Sequence, residues 1–190
     1  MSSASDVIAV TITADILAAD DNGISTDAAV GNNAALTIAG ALADGGSVTL
    51  SNARKVTITS AGDDSGISFT IVGTDINGTA QTESVSGVDT GAATSSKLFL
   101  TIASITAVGD PAANVKAGIS ADSSSIVYSG RSRLKGVFLT STATAGTVDF
   151  LNTSTAGTSL MKISSVASAT ATRDVVIPEN GVLFTDGIYI

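Results

Sequence analysis

Short apolar runs with strand-like alternation recur along this chain, and clusters of Ser, Thr, Gly, Asn and Asp separate them. In the clearest run, Ile67, Phe69 and Ile71 occupy every second position. Ser68 and Thr70 lie between them. Because successive side chains of a strand point to opposite faces, this run predicts a half-buried antiparallel strand. The repeated pattern predicts an all-β protein.

The remaining strands follow from the same pattern. The dipeptide Asn77-Gly78, six positions after Ile71, predicts a tight hairpin with both residues at positive φ. The other runs that predict strands are Ala35–Ile38, Ser47–Leu50, Lys55–Thr59, Gln81–Ser86, Leu98–Ile102, Ile105–Val108, Asn114–Ile119, Leu134–Thr140, Thr147–Leu151, Leu160–Ser164, Arg173–Pro178, Val182–Phe184 and Ile188–Ile190.

The chain divides into three predicted segments. Residues 1–34 are polar and Ala-rich around one alternating run, Val7–Ile12, and are interpreted as an N-terminal arm. Residues 35–122 carry the densest strand pattern and predict an immunoglobulin-like antiparallel β-sandwich. The small polar residues after position 120 mark a boundary, so residues 123–190 are interpreted as a second, smaller β domain. Deletion of residues 1–30 is expected to leave the sheet intact.

The charge distribution argues against two classes of partner. The net charge is −8, and residues 1–53 contain six Asp but no Lys or Arg. Because such a surface repels phosphate groups, neither nucleic acid nor an anionic membrane is expected to bind. The sequence has no apolar run of membrane-spanning length and no signal-peptide pattern at Met1–Val10, so synthesis in a cytoplasm is expected.

The residue content leaves little chemistry for catalysis. The chain has no His, Cys or Trp, and Ala, Ser, Thr and Gly make up about half of it. The Ser-His and Cys-His nucleophile pairs are therefore excluded, and no catalytic or cofactor motif occurs, so neither an enzyme nor a cofactor is expected. Two acidic clusters, Asp20/Asp21/Asn22/Asp27 and Asp63/Asp64, fit either ordinary turns or a Ca²⁺ site, although neither has the EF-hand spacing.

One basic cluster stands out in this acidic chain. Arg131, Arg133 and Lys135 follow Tyr128 at alternate positions. On a strand the three cations project from one face, where they form a ridge able to contact an acidic protein surface or a glycan phosphate. The alternative interpretation is a solvated outer face or an edge strand protected by charge. These four residues are the candidate partner-binding site.

Several stretches resemble virion structural proteins of tailed bacteriophages, especially marine ones. They are Val56–Asp75 with Gly78 and Thr82–Glu83, then Ile102–Thr106, and the closing segment Pro178–Tyr189. The resemblance implies a non-enzymatic β protein of the virion: a capsid decoration or cement protein, a head fibre or knob, or a tail component.

Two functions from different classes follow from these observations. The first is a decoration protein, expected to be a homotrimer, whose arm or edge strands bind the major capsid protein by strand addition. The second is a fibre or tail module that recognises glycans on the host surface, although Tyr128 and Tyr189 are the only two tyrosines available for stacking on sugars. A hydrolase would need a pair of carboxylates in a cleft.

Overall fold

A computed structural model of the chain describes residues 18–124, 126–140, 145–152, 157–167 and 171–190. All regular structure in these ranges is β-strand, so the all-β prediction is confirmed. The chain divides into two compact units. The sandwich unit spans Asp15–Ser125, and the C-terminal unit contains Ile126–Ile190. Across the described ranges, no helix has the length and apolarity needed to cross a membrane.

The strands of the sandwich unit pair antiparallel throughout its described residues. Their order in the sheet is β1-β8-β3-β7-β4-β5, and β2 and β6 also pair with β3. Their bounds are β1 Asp20–Ala28, β2 Ala43–Asp44, β3 Ser47–Asp63, β4 Ser68–Thr74, β5 Ala80–Ser86, β6 Asp89–Thr94, β7 Phe99–Val108 and β8 Val115–Ser124. The immunoglobulin-like strand order stays a prediction.

β3 folds the sheet over the core because its two halves have different partners. Val48 and Thr49 pair with β7, whereas residues 56–60 pair with β8. The register shifts on both sides of Arg54, between these two sets of partners. Such irregularities let a strand bend without ending, so the two strands predicted at Ser47–Leu50 and Lys55–Thr59 form one.

The core of the sandwich unit lies between the two layers that β3 joins. Phe69 and Ile71 of β4 are 1% and 0% exposed, as their alternation with Ser68 and Thr70 predicts. The buried cluster consists of Ile24, Leu36, Ile38, Val48, Leu50, Val56, Ile58, Phe69, Ile71, Val85, Ala93, Phe99, Ile102, Ile105, Ala107, Val115, Ala117 and Ile119. β-Branched and aromatic side chains of this kind pack well on a pleated surface.

The predicted hairpin forms between β4 and β5, with a different turn from the one expected. Gly78 has a φ of +77°, but Asn77 is not at positive φ. Asp75 stabilises this turn instead of a second residue at positive φ. Its Oδ1 accepts hydrogen bonds from the amides of Asn77 and Thr79 at 2.8 and 2.9 Å. A side-chain-capped turn of this type needs one left-handed residue.

The interpretation of residues 1–34 as an arm is wrong for its described part. Asp20–Ala28 form β1, which pairs with β8, and Ile24 is fully buried in the core. The four polar residues Asp20–Gly23, which resembled a turn, lie within this strand. Residues 1–17, including the alternating run Val7–Ile12, lie outside the described ranges.

One predicted strand is irregular, and one real strand had no sequence signal. Leu36 and Ile38 are buried, but their segment contributes one isolated bridge, Ala35 to Thr106. β6 (Asp89–Thr94) was not predicted, because Ala93 is its sole buried residue. Its pairing with β3 through backbone hydrogen bonds makes it a strand without an apolar pattern.

The C-terminal unit forms several small antiparallel sheets in its described residues. β10 pairs with β15, β11 pairs with β14, and a further sheet has the order β13-β12-β16-β9. The bounds are β9 Ile126–Ser129, β10 Ser132–Leu134, β11 Gly136–Thr140, β12 Gly146–Asn152, β13 Thr158–Ser165, β14 Thr172–Val176, β15 Val182–Phe184 and β16 Gly187–Tyr189.

The core of the C-terminal unit is small. Its buried cluster contains Phe150, Ile163, Phe184 and Ile188 in the described residues. Partly buried side chains such as Leu134, Val137 and Val175 pack around it. Each layer is therefore thin, as expected of a chain with 4% aromatic residues.

Candidate partner-binding surface

The predicted basic ridge lies on and beside β10, on the outside of the C-terminal unit. Arg131, Arg133 and Lys135 are all exposed, whereas the intervening Ser132 and Leu134 are half-buried. Leu134 packs against the core of the unit, which turns the odd-numbered positions towards solvent. All three cations are therefore exposed, and Arg133 and Lys135 reach the same turn at residues 179–180.

Two of the three cations also hold a neighbouring turn. Nη1 of Arg133 donates a hydrogen bond to the carbonyl oxygen of Asn180 at 3.2 Å, and Nζ of Lys135 donates to that of Glu179 at 3.0 Å. Glu179 has a φ of +53°, an unfavourable conformation for a residue other than glycine. Arg133 and Lys135 thus stabilise the turn before β15 while their charges stay at the surface.

The positive charge of the ridge is not neutralised locally. Among the described residues, no carboxylate lies within salt-bridge distance of Arg131, Arg133 or Lys135. In the same ranges Arg131 makes no side-chain hydrogen bond, so its guanidinium is free to bind an external carboxylate or phosphate in a bidentate way. The ridge is an unpaired cationic surface.

Tyr128 occupies the strand before the ridge. It lies in β9, where it pairs with Ile188 of β16, and its side chain is 39% exposed. The other tyrosine, Tyr189, is 4% exposed. Tyr128 is consequently the tyrosine that can contact a partner, whereas Tyr189 belongs to the interior.

An apolar patch that was not predicted from the sequence lies in the strands that follow the ridge. Phe138 of β11 and Val176 of β14 are 70% and 77% exposed, more than the other large hydrophobic side chains of the described residues. The signal was present in Val137-Phe138-Leu139 and Val175-Val176-Ile177. An unbroken apolar run in a strand with one buried face must leave its alternate residues in solvent.

The acidic clusters behave as turn and strand residues. Asp63 accepts hydrogen bonds from the amide and hydroxyl of Ser65 at 3.0 and 2.6 Å, which lowers the pKa of its carboxyl below the usual value. Asp64 accepts the amide hydrogen bond of Ala112 at 2.8 Å. In the described part of the chain, no three acidic, His or Cys side chains are arranged to hold a metal ion.

An open groove runs along β1 beside its pairing with β8. Asp21 forms an ion pair with Lys116 there, and this hydrogen bond raises the pKa of the Lys116 ammonium. Asp20 accepts the amide hydrogen bond of Asn22 at 3.1 Å. The groove is lined by Ala18, Ala19, Asp20, Asp21, Thr57, Ile119, Ser120 and Ala121. Both of its carboxylates thus have local hydrogen-bond or ion-pair partners.

The outer strands of the sandwich unit are partly covered. The amides of Gly40 and Leu42 donate to the carbonyl oxygens of Ile24 and Gly23 in β1 at 3.0 and 2.8 Å. At β5, the Glu83 carboxylate accepts the amide hydrogen bonds of Ser96 and Lys97 at 2.7 and 2.9 Å. Nζ of Lys97 also donates to the backbone carbonyl oxygen of Thr82 in β5 at 2.7 Å. Because these backbone carbonyls of β1 and β5 are occupied, both strands are protected against pairing with another chain at these positions.

No protein-family description, curated protein or solved structure matches this chain. The likeness to virion proteins of tailed bacteriophages accordingly stays a prediction from the quoted sequence stretches.

Proposed function

We propose that this chain is a non-enzymatic virion protein that decorates a capsid by binding the major capsid protein lattice. The observation that carries this proposal is the basic ridge at Arg131, Arg133 and Lys135, which has no ion-pair partner in the part of this acidic protein that the structure describes. A rigid sheet that presents charge and an apolar patch, with no assembled catalytic group in its described residues, suits a binding role.

The ridge is a better docking surface than the β1 and β5 edges of the sandwich. Strand addition at β1 or β5 would first have to displace residues 40–42 or the loop held by Glu83. The ridge needs no such rearrangement, and its turn is already held by Arg133 and Lys135. We therefore assign lattice contact to the C-terminal unit, with an acidic surface on the partner.

The contribution proposed for the arm is confined to residues 1–17. Removal of residues 1–30 would also remove the whole of β1, and with it the buried Ile24. Loss of particle binding in that variant would report an unfolded sandwich and not a missing contact. A truncation before residue 18 leaves β1 intact and isolates the effect of the arm.

Glycan recognition is the weaker candidate. Sugar-binding sites usually stack pyranose rings on exposed aromatic faces. Tyr189 is buried and Tyr128 is 39% exposed, which leaves one tyrosine available for this purpose. Binding of the purified protein to a glycan array would favour this function over capsid decoration.

The decisive experiment is co-sedimentation of the purified protein with particles assembled from the major capsid protein of the phage that encodes it. The wild-type protein is expected to sediment with the particles, and binding should weaken as salt rises because exposed charges are screened. The variant Arg131→Glu is expected to weaken binding at least about tenfold, equivalent to about 1.4 kcal/mol.

Arg173→Glu is the matched control. It reverses one exposed charge in the same unit, on β14, away from the ridge. This variant is expected to bind like the wild type apart from a small effect of net charge. Absence of wild-type binding would refute capsid decoration, and equal losses in both variants would refute the ridge as the contact.

A further inference from the structure

Phe138 and Val176 form one exposed apolar patch on the ribbon made by β11 and β14. In the register of this ribbon, Phe138 lies opposite Asp174, and Gly136 lies opposite Val176. Phe138 and Val176 are thus diagonal neighbours on the same face, within reach of each other. The opposite face carries Val137 and Val175, which pack on the core.

The C-terminal unit buries few apolar side chains, so burial of a further apolar patch would add appreciably to its stability. Four side chains form its buried cluster, compared with eighteen in the sandwich unit, counted over the described residues. Domains of about 60 residues are marginally stable even with a normal core. In the described residues the β11–β14 ribbon has two strands and only one face packed on this small core, so burial of its outer face would add to its stability.

The difference in net charge between the two units indicates which surface of a second copy can cover the patch. Residues 126–190 carry five basic and four acidic side chains, whereas residues 18–124 carry four basic and eleven acidic ones. Contact between two copies through their sandwich units would bring many like charges together, but contact through the nearly neutral C-terminal units would not. Asp174 beside Phe138, with Lys135 next to β11, also supplies both signs of charge at the rim of the patch.

We infer that the outer face of the β11–β14 ribbon, centred on Phe138 and Val176, is covered by the C-terminal unit of a second copy of this chain. The two side chains alone expose less area than the about 800 Å² per partner of a stable interface, so the rest of the ribbon and its neighbours take part. This inference goes beyond capsid binding, since it predicts self-association in the absence of any particle.

The test is the mass of the purified full-length chain by sedimentation equilibrium. The wild type is expected to give a mass of two or more chains of 18.6 kDa each. Phe138→Asp buries a charge in the interface and is expected to raise the dissociation constant at least about tenfold. Val108→Asp is the control, because Val108 is a comparably exposed apolar residue, at 48%, on the sandwich unit. Tyrosine fluorescence, which reports on Tyr128 and Tyr189 alone, checks that the C-terminal unit remains folded.

A second variant keeps the inference testable if Phe138→Asp fails to fold. The natural chain has no Cys, so Phe138→Cys places a single thiol on the patch. Under mild oxidation this variant is expected to form disulfide-linked dimers far faster than Val108→Cys. Equal rates, or a wild-type protein that stays monomeric, would overturn the inference.

Particle binding separates this inference from the proposed function. If Phe138→Asp keeps the wild-type mass but no longer sediments with particles, the patch contacts the lattice and the second-copy assignment is wrong. If the wild type self-associates but does not bind particles, the inference stands and capsid decoration fails.

Discussion

At the scale of single residues, two glycines within strands are explained by close contact between neighbouring backbones. Gly118 of β8 illustrates the point, because a Cβ at this position would collide with the backbone carbonyl of Asp20 in β1. Gly73 of β4 faces the carbonyl of Thr101 in the same way. Small residues at such positions let neighbouring backbones approach, at the cost of core volume.

Substitution of Gly118 should therefore loosen β1. Gly118→Ala forces the backbone of β1 or β8 to move, and we expect a loss of about 1–3 kcal/mol in the free energy of unfolding. Hydrogen exchange of the amides in Asp20–Ala28 should accelerate. Gly66→Ala is the control, since a Cβ there meets nothing within 4 Å. Similar exchange rates in β1 for the two variants would contradict the argument.

Arg54 is the largest fully buried side chain of the chain's described part, at 1% exposed. Arg54 lies at the bend of β3. Its Nε and Nη2 both donate hydrogen bonds to the carbonyl oxygen of Ser120 in β8, and the bond from Nε is 3.1 Å long. Arg54→Ala would leave that carbonyl without these donors and open a cavity. We expect a loss of about 2–4 kcal/mol, measured by denaturant unfolding with far-UV circular dichroism.

Arg131→Ala serves as the control for this measurement. Arg131 is exposed and makes no side-chain hydrogen bond to the described residues, so its removal should change stability by less than about 0.5 kcal/mol. A similar small effect for Arg54→Ala would show that the bend of β3 does not depend on the buried guanidinium.

At the scale of elements, polar interactions between side chains on neighbouring strands stabilise hairpins that bury few apolar residues. In the β12–β13 hairpin, Asp149 lies opposite Lys162 and forms an ion pair with it at 2.9 Å. The Ser159 hydroxyl also donates to Asp149. Both hydrogen bonds lower the pKa of the Asp149 carboxyl, and the one from Ser159 has the larger effect.

This lowered pKa predicts a pH-dependent stability of the C-terminal unit. Because the carboxylate is favoured in the folded state, its contribution is present above the unfolded pKa of about 4 and disappears as the pH falls through the folded value. Asp149→Asn should therefore lower the melting temperature at pH 7, and this effect should shrink as the pH falls below about 4. The effect is small, since the pair is exposed to solvent.

Tyrosine fluorescence is the appropriate probe for this prediction, since both tyrosines, Tyr128 and Tyr189, lie in the C-terminal unit. Asp174→Asn is the control, because Asp174 has no ion pair within the described ranges. A difference between wild type and Asp149→Asn that is constant from pH 2 to pH 7 would contradict the linkage.

At the scale of the whole molecule, the two units differ in their capacity to fold alone. The sandwich unit encloses a continuous apolar cluster, and most of its long-range pairings run through β3. The C-terminal unit distributes its strands over several small sheets around a much smaller cluster. Burial of apolar area dominates stability, so the sandwich unit is the more stable part.

Separate expression of the units tests this difference. A fragment of residues 15–125 is expected to unfold cooperatively on heating, as followed by far-UV circular dichroism. A fragment of residues 126–190 is expected to fold in a concentration-dependent manner, because association with other copies adds to its stability. Cooperative, concentration-independent melting of the smaller fragment would show that its own core is sufficient.

The sequence alone determined the strand-based architecture, because alternation at Ile67–Ile71 and the hairpin signal at Asn77-Gly78 are local properties. It also indicated the shared face of Arg131, Arg133 and Lys135, since a period of two needs no tertiary information. The placement of β1 and β6 could not be read in the same way, because few of their residues are apolar and their partners are distant in sequence.

Only the tertiary structure decided which apolar residues stay in solvent and which polar ones are buried. In a run such as Val137-Phe138-Leu139, periodicity requires one residue to face away from its neighbours but does not identify the buried face. Arg54 is buried for the converse reason: the bend of β3 brings it to a carbonyl 66 positions away. Both outcomes depend on packing between distant strands, which no local pattern encodes.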